Sequence, residues 1–108
     1  MIASLSPREL AAALRSPTPP LLLDVREPAE HALVTLPGAT LIPLGQLPAR
    51  LAELAEWKTS EVVVFCHHGI RSQHAIAFLQ QHGFTRLRNL SGGIDRWADE
   101  VQPDLPRC

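Results

Sequence analysis

Glu61-Val62-Val63-Val64-Phe65-Cys66 is the segment that most narrows the fold. Three β-branched residues and a phenylalanine in unbroken succession favour a strand, and the absence of polar alternation means that both of its faces are covered. Strands of that kind belong to parallel sheets flanked by helices. Leu21-Leu22-Leu23-Asp24-Val25 is a second unalternated apolar run, bounded by prolines. Helical spacing separates these runs, so the chain reads as an α/β domain with a largely parallel sheet.

The other elements fit that order. Ser6-Pro7-Arg8-Glu9 opens a helix: Ser6 is the cap, Pro7 suits the first helical position and Glu9 completes a capping box. Leu10, Ala13 and Leu14 then share one face. Pro28 to Ala32 reads as a short helix, and Thr40-Leu41-Ile42-Pro43 as a brief strand whose proline places it near an edge. Leu47, Leu51, Leu54 and Ala55 repeat at helical spacing behind Pro48. A helix is expected from about Ser72 to His82, with Ala75, Phe78 and Leu79 on one side and Gly83 as its stop. Arg86 to Leu90 forms the last strand, and a final helix starts near Gly93 and carries Ile94 and Trp97.

The 108 residues fit one domain, with an irregular proline-containing tail from about residue 101. Pro17-Thr18-Pro19-Pro20 reads as a stiff connection. Ten basic and eleven acidic residues leave a formal charge of −1, which gives no broad attraction to nucleic acid or to an anionic membrane. No stretch approaches the ~20 apolar residues of a membrane helix, and residues 1–7 lack a secretory pattern. Two cysteines cannot build a disulfide scaffold, so a reduced, cytoplasmic setting is expected. Cys108 is expected to be an inert terminal residue rather than a resolving thiol or half of an intermolecular disulfide.

The chemistry lies after the strongest strand. Ligands of open α/β sheets bind beyond the carboxyl ends of the strands. Cys66 ends this one, and His67-His68-Gly69-Ile70-Arg71-Ser72 leads into a helix. A short loop containing glycine can turn its amide N–H groups inward as an anion-binding nest. The helix N-terminus adds unpaired N–H groups and partial positive charge, and Arg71 adds a planar donor fork. Each favours thiolate over thiol at Cys66, the form that is nucleophilic. An arginine in a first turn is unfavourable to the helix dipole, and a local anion would explain Arg71 there.

Cys66-His67-His68-Gly69-Ile70-Arg71-Ser72 resembles the C-x-x-G-x-R active-site loop of the rhodanese domain family. Leu22-Leu23-Asp24-Val25-Arg26-Glu27, with Glu30, is similar to that family's L-D-V-R-E segment. Leu36-Pro37-Gly38-Ala39 with Ile42-Pro43 resembles I-P-G-A-x-x-I-P. Leu90-Ser91-Gly92-Gly93-Ile94-Asp95-Arg96-Trp97 resembles L-x-G-G-x-x-x-W, and Leu105-Pro106-Arg107 a tail that follows some single rhodanese domains. The resemblance implies a five-stranded, mainly parallel sheet with helices on both faces, and a short first strand at Ile2-Ala3. It also implies sulfane-sulfur transfer. Cys66 takes sulfur from a small anion such as thiosulfate, residues 67–71 cradle the persulfide, and cyanide, a thiol or a protein accepts the sulfur. No cofactor or metal is implied, and a monomer or weak dimer is expected. Val34-Thr35 departs from the family's usual Gly-His and bears on loop geometry rather than chemistry.

Plainer readings apply to the neighbours. Arg71 is alternatively the partner of a carboxylate. Asp24 and Arg26 are supporting candidates, explained more simply by loop capping and an internal ion pair. His67 and His68 either line the mouth or face solvent. As neighbours in a tight loop they cannot easily share one metal with Cys66, and no C-x-x-C or H-x-x-x-H spacing supports a site. His31, His74 and His82 are expected to be ordinary surface or helix residues, and Trp57 and Trp97 packing residues. Two other functions compete. A cysteine phosphatase or arsenate reductase uses a similar thiolate nest, but with a longer run between cysteine and arginine than the four residues found here. A relay or interaction module would receive and pass sulfur with little free thiosulfate turnover.

Overall fold

The structure, a computed structural model, describes residues 2–106. Cys108, and Arg107 of the tail motif, therefore lie outside the described residues. Five strands make one sheet: β1 (Ser4–Leu5), β2 (Leu21–Asp24), β3 (Thr40–Leu41), β4 (Val62–Phe65) and β5 (Leu87–Leu90). Their spatial order is β1-β5-β4-β2-β3, and every pairing is parallel. The helices are α1 (Pro7–Leu14), α2 (Pro28–Leu33), α3 (Leu47–Arg50), α4 (Ile70–Gln81) and α5 (Gly93–Glu100). No helix among the described residues is long and apolar enough to cross a membrane.

The sheet is covered on both faces because its strands alternate between two cores. Val62, Val64 and Cys66 face Leu47, Leu54, Ala75, Ile76 and Leu79 from the α3–α4 side. Val63 and Phe65 face Leu10, Ile94 and Trp97 from the α1–α5 side. All four β4 residues are at most 1% exposed. Full burial of such a side chain is worth roughly 1.5–3 kcal/mol, so β4 is firmly fixed. The period of two then dictates that Cys66, one residue beyond the strand, points toward α4.

The capping box of α1 forms as expected: the Ser6 N–H donates to Glu9 Oε1 at 2.8 Å, and the Glu9 N–H donates to Ser6 Oγ at 3.1 Å. Four elements are placed differently from the sequence expectation. The first strand is Ser4–Leu5, not Ile2-Ala3, with Leu5 paired to Leu90. Leu5 is 2% exposed and belongs to the α1–α5 core, which sets the register of this edge strand. The helical pattern around Leu47–Ala55 divides into α3 and a 3₁₀ stretch, Leu51–Trp57. Helix α4 starts at Ile70, two residues before the expected start at Ser72, because Gly69 takes a left-handed φ of 114° and serves as its cap. The last strand begins at Leu87 rather than Arg86. The tail is irregular as expected, yet Leu105 packs onto the α1–α5 core and Gln102 Oε1 accepts from Trp97 Nε1 at 2.8 Å.

Candidate active site

Cys66 is 1% exposed at the carboxyl end of the central part of the sheet. Two backbone donors reach its sulfur: the Gly69 N–H at 3.0 Å and the Ser72 N–H at 3.4 Å. The first is possible because Gly69 turns the chain sharply with a positive φ. The second belongs to the first turn of α4, where amides have no helical partner. Both direct partial positive charge at Sγ.

Ser72 Oγ lies 3.4 Å from Sγ. It also lies 3.1 Å from the Gly69 carbonyl and 2.5 Å from Asn89 Oδ1. Asn89 Nδ2 donates to the same Gly69 carbonyl at 3.4 Å. The Ser72 hydroxyl has one proton for these acceptors, so it can redirect as charge on the sulfur changes. Asn89 is 5% exposed and was missed in the sequence reading. Its signal was a polar residue inside the apolar frame of β5.

The outer side of the loop is fastened by α5. Ile94 N–H donates to the Cys66 carbonyl at 2.9 Å, and Asp95 N–H donates to the His67 carbonyl at 3.2 Å. Because a trans peptide sets C=O and N–H on opposite sides, anchoring these carbonyls turns the His67 and His68 amides away from α5. The approach requires Gly93. A Cβ there would stand 2.3 Å from the His67 oxygen and 2.4 Å from the Cys66 oxygen, at a φ of +63°. At Gly92 (φ +75°) an added Cβ would meet Arg96, whose Cβ, fixed by the helix backbone, stands at 2.5 Å. Gly93→Ala is therefore expected to destabilise the fold by about 2–3 kcal/mol. Urea unfolding of the variant checks this; an unchanged midpoint would contradict the close loop–helix contact.

Arg71 takes the plainer of its two sequence readings. Its Nη1 and Nη2 donate to Glu30 Oε1 and Oε2 at 2.7 and 2.9 Å, a bidentate fork joining α4 to α2. Glu30 also accepts from the Glu27 N–H at 3.0 Å and so caps α2. The Arg71 fork, helped by the Glu27 amide and opposed by burial, lowers the Glu30 pKa from 4.5 to about 2. The Glu30 hydrogen bond raises the Arg71 pKa, and negative charge on Cys66 adds to the effect. A carboxyl depressed in the folded state contributes stability above its ordinary pKa. That contribution fades as pH falls from about 4.5 toward 2. Solvent screens this partly exposed pair, so the contribution is modest. Glu30→Gln is expected to flatten the acid limb of a stability–pH curve over that range; an unchanged limb would contradict the tie.

Asp24 and Arg26 form a buried support below the loop, both 0% exposed. Asp24 Oδ1 accepts from Arg26 N–H and Nε at 3.0 Å, and Oδ2 accepts from Arg26 Nη2 at 2.9 Å. The guanidinium lies over the Phe65 ring, 5.7 Å from its centroid. Burial pushes the Asp24 carboxyl up, but the hydrogen bonds from Arg26 and His31 prevail and its pKa is lowered. Val34 and Thr35, the positions that depart from the family pattern, brace this pair. The Val34 carbonyl accepts from Arg26 Nη2 at 2.6 Å, and Thr35 Oγ1 donates to Asp24 at 3.3 Å. His31 Nδ1 sits 2.9 Å from Asp24 Oδ2, so His31 is part of the support rather than an ordinary surface residue.

His67 and His68 lie at the rim with ring centroids 4.1 Å apart. Their side chains are 22% and 69% exposed, and both Nε2 atoms face the Asp95 carboxylate. A pocket of about 610 Å³ opens beside the loop, lined in part by His68, Gly69, Gln73, Asn89 and Gly92. The whole arrangement is a buried sulfur held by backbone donors, with charge and imidazole at its edge. It suits a cysteine that becomes anionic and carries a small group.

Known proteins resemble the chain in sequence and fold. Residues 6–100 match the rhodanese-like domain family. A protein named sulfurtransferase from Allochromatium vinosum is 38% identical over 103 residues, covering 95% of this chain and 94% of that one. The probable adenylyltransferase/sulfurtransferase MoeZ of Mycobacterium tuberculosis is 38% identical over 104 residues, but the chain spans only 26% of its length. The solved structure of the human single-domain sulfurtransferase TSTD1 superposes with a TM-score of 0.80 at 29% identity, covering 93% of this chain and 98% of that one.

Proposed function

The chain belongs to the rhodanese-like domain family, and on that premise we propose that it is a sulfurtransferase working through a persulfide on Cys66. The observation that carries this reading is the pair of backbone N–H groups aimed at the buried Cys66 sulfur. The Cys66 thiolate attacks the outer sulfur of a thiosulfate-like donor. The bond from that sulfur to the sulfonate breaks, and sulfite leaves with the electron pair. The product is a Cys66 persulfide anion of unchanged total charge. Its outer sulfur lies one atom beyond Sγ, toward the amides of residues 67–71. A thiolate, or cyanide in an assay, then attacks the outer sulfur and returns Cys66 as thiolate. Neither step requires an external oxidant or reductant.

The roles of the neighbours follow from their contacts. Gly69 and Ser72 hold the charge on Sγ. Arg71, paired with Glu30 through Nη1 and Nη2, adds positive potential at the rim that an anionic donor meets. His67 and His68 border the entrance. Asp24 and Arg26 support the loop from below and do not touch the reacting atoms. Exposed Ile70, the first residue of α4 after the loop, supplies apolar surface beside the site, which favours a protein acceptor over a small free thiol.

A phosphatase reading fits less well. The arginine that would grip a phosphate is committed to Glu30 through both terminal nitrogens. The separating experiment assays thiosulfate with cyanide beside p-nitrophenyl phosphate. Thiocyanate formation without phosphate release is expected. Cys66-dependent phosphate release with no thiocyanate would overturn the sulfur-transfer reading.

A further inference from the structure

The rim of the loop holds three metal-ligating side chains that the proposed transfer does not use together. His67 and His68 come from the loop, and Asp95 comes from the first turn of α5. One donor atom from each lies within 4.8 Å of the other two. As neighbours in a tight loop, these histidines cannot easily share an ion with Cys66. The third ligand is instead a residue 27 positions further along than His68, brought in by the docking of α5 on the loop.

The two histidines meet the Asp95 carboxylate at ion-pair separation. His67 Nε2 is 4.0 Å from Asp95 Oδ1, and His68 Nε2 is 3.7 Å from Asp95 Oδ2. Both gaps exceed hydrogen-bond length. Tetrahedral ligands on bonds of 2.0–2.1 Å stand about 3.3 Å apart, so the three donor atoms, within 4.8 Å of one another, draw in by up to about 1.5 Å when an ion binds. Small side-chain rotations close the difference. The backbone already holds the two segments in register through Ile94 N–H to the Cys66 carbonyl and Asp95 N–H to the His67 carbonyl. Little of the chain must be ordered for an ion to bind.

We propose that His67 Nε2, His68 Nε2 and one Asp95 carboxylate oxygen form a site for a single divalent transition-metal ion of the zinc type. Two imidazoles and one carboxylate are a ligand set suited to Zn²⁺ or Co²⁺ and not to Mg²⁺ or Ca²⁺, which prefer oxygen alone. Three protein ligands leave a position open to solvent on the exposed His68 side. The bound ion would tie the loop to α5 across the mouth of the site, so it stabilises the folded chain by linkage. Cys66 is not a ligand: its sulfur points into the core toward α4 and is held by the Gly69 and Ser72 amides.

The test is titration calorimetry with ZnCl₂ on an untagged Cys66→Ser, Cys108→Ser chain, which removes both thiols as competing ligands. One ion per chain is expected. Asp95→Ala and His68→Ala in that background should each weaken binding by at least roughly tenfold. Co²⁺ added to the wild-type chain gives an independent reading. Visible bands without thiolate charge transfer, with a rise in Tm that Asp95→Ala abolishes, support the site. Absence of stoichiometric Zn²⁺ binding, binding unaffected by both substitutions, or thiolate charge transfer in the wild-type Co²⁺ spectrum would overturn it.

Discussion

Cys66→Ser is expected to lower thiocyanate formation from thiosulfate and cyanide by at least roughly 10³-fold while leaving the fold intact. The serine hydroxyl fits where the thiol sat and can accept from the Gly69 and Ser72 amides, so the packing of the loop against α4 and α5 survives. What is lost is the atom that carries sulfur. An alcohol is a far weaker nucleophile than a thiolate at neutral pH and forms no persulfide. Circular dichroism and the urea midpoint check the fold, and a thiocyanate assay checks the chemistry. Retention of more than about a tenth of the wild-type rate would remove Cys66 from the chemical step.

Asp24→Asn is expected to have the largest effect on stability, a loss of about 3–5 kcal/mol. The carboxylate neutralises a guanidinium that is 0% exposed and takes hydrogen bonds from its Nε and Nη2 as well as from the Arg26 amide. Asparagine keeps the size and one acceptor but leaves the buried charge of Arg26 without its carboxylate. Replacing both members, as Asp24→Leu with Arg26→Met, should cost much less than Asp24→Asn alone, because no buried charge then remains. The loss should reach the site as well. Val34, Thr35 and His31 are tied to this pair, and Glu30 on the same helix as His31 holds Arg71. Urea unfolding of the single and double variants checks the account; a single variant as stable as wild type would contradict it.

Much of this molecule is legible in its sequence, where the signal is local. The unbroken run Val62–Phe65 announces a strand buried on both faces, and the box Ser6–Glu9 announces a helix start. The loop from Cys66 to Ser72 announces a cysteine held at a helix N-terminus. Each needs only neighbours along the chain. The residues that were misplaced or missed depend on contacts distant in sequence. Strand β1 is two residues long and is positioned by Leu5 entering a core made by α1 and α5. Leu51–Trp57 keeps helical spacing but winds as 3₁₀, which periodicity does not separate from α. His31 acquires its role from Asp24, and Arg71 from Glu30, 41 positions away. Asn89 matters only because β5 lies beside β4, which brings it against Ser72. Thr35 bears on loop geometry through its hydrogen bond to Asp24.

The central claim is that Cys66 carries sulfur, and intact-mass measurement after brief incubation with thiosulfate tests it most directly. Wild-type chain should gain one sulfur atom, located on Cys66 by fragmentation and removed by cyanide, and the Cys66→Ser chain should gain none. A wild-type chain that gains no sulfur, or gains it on Cys108 instead, would contradict the account.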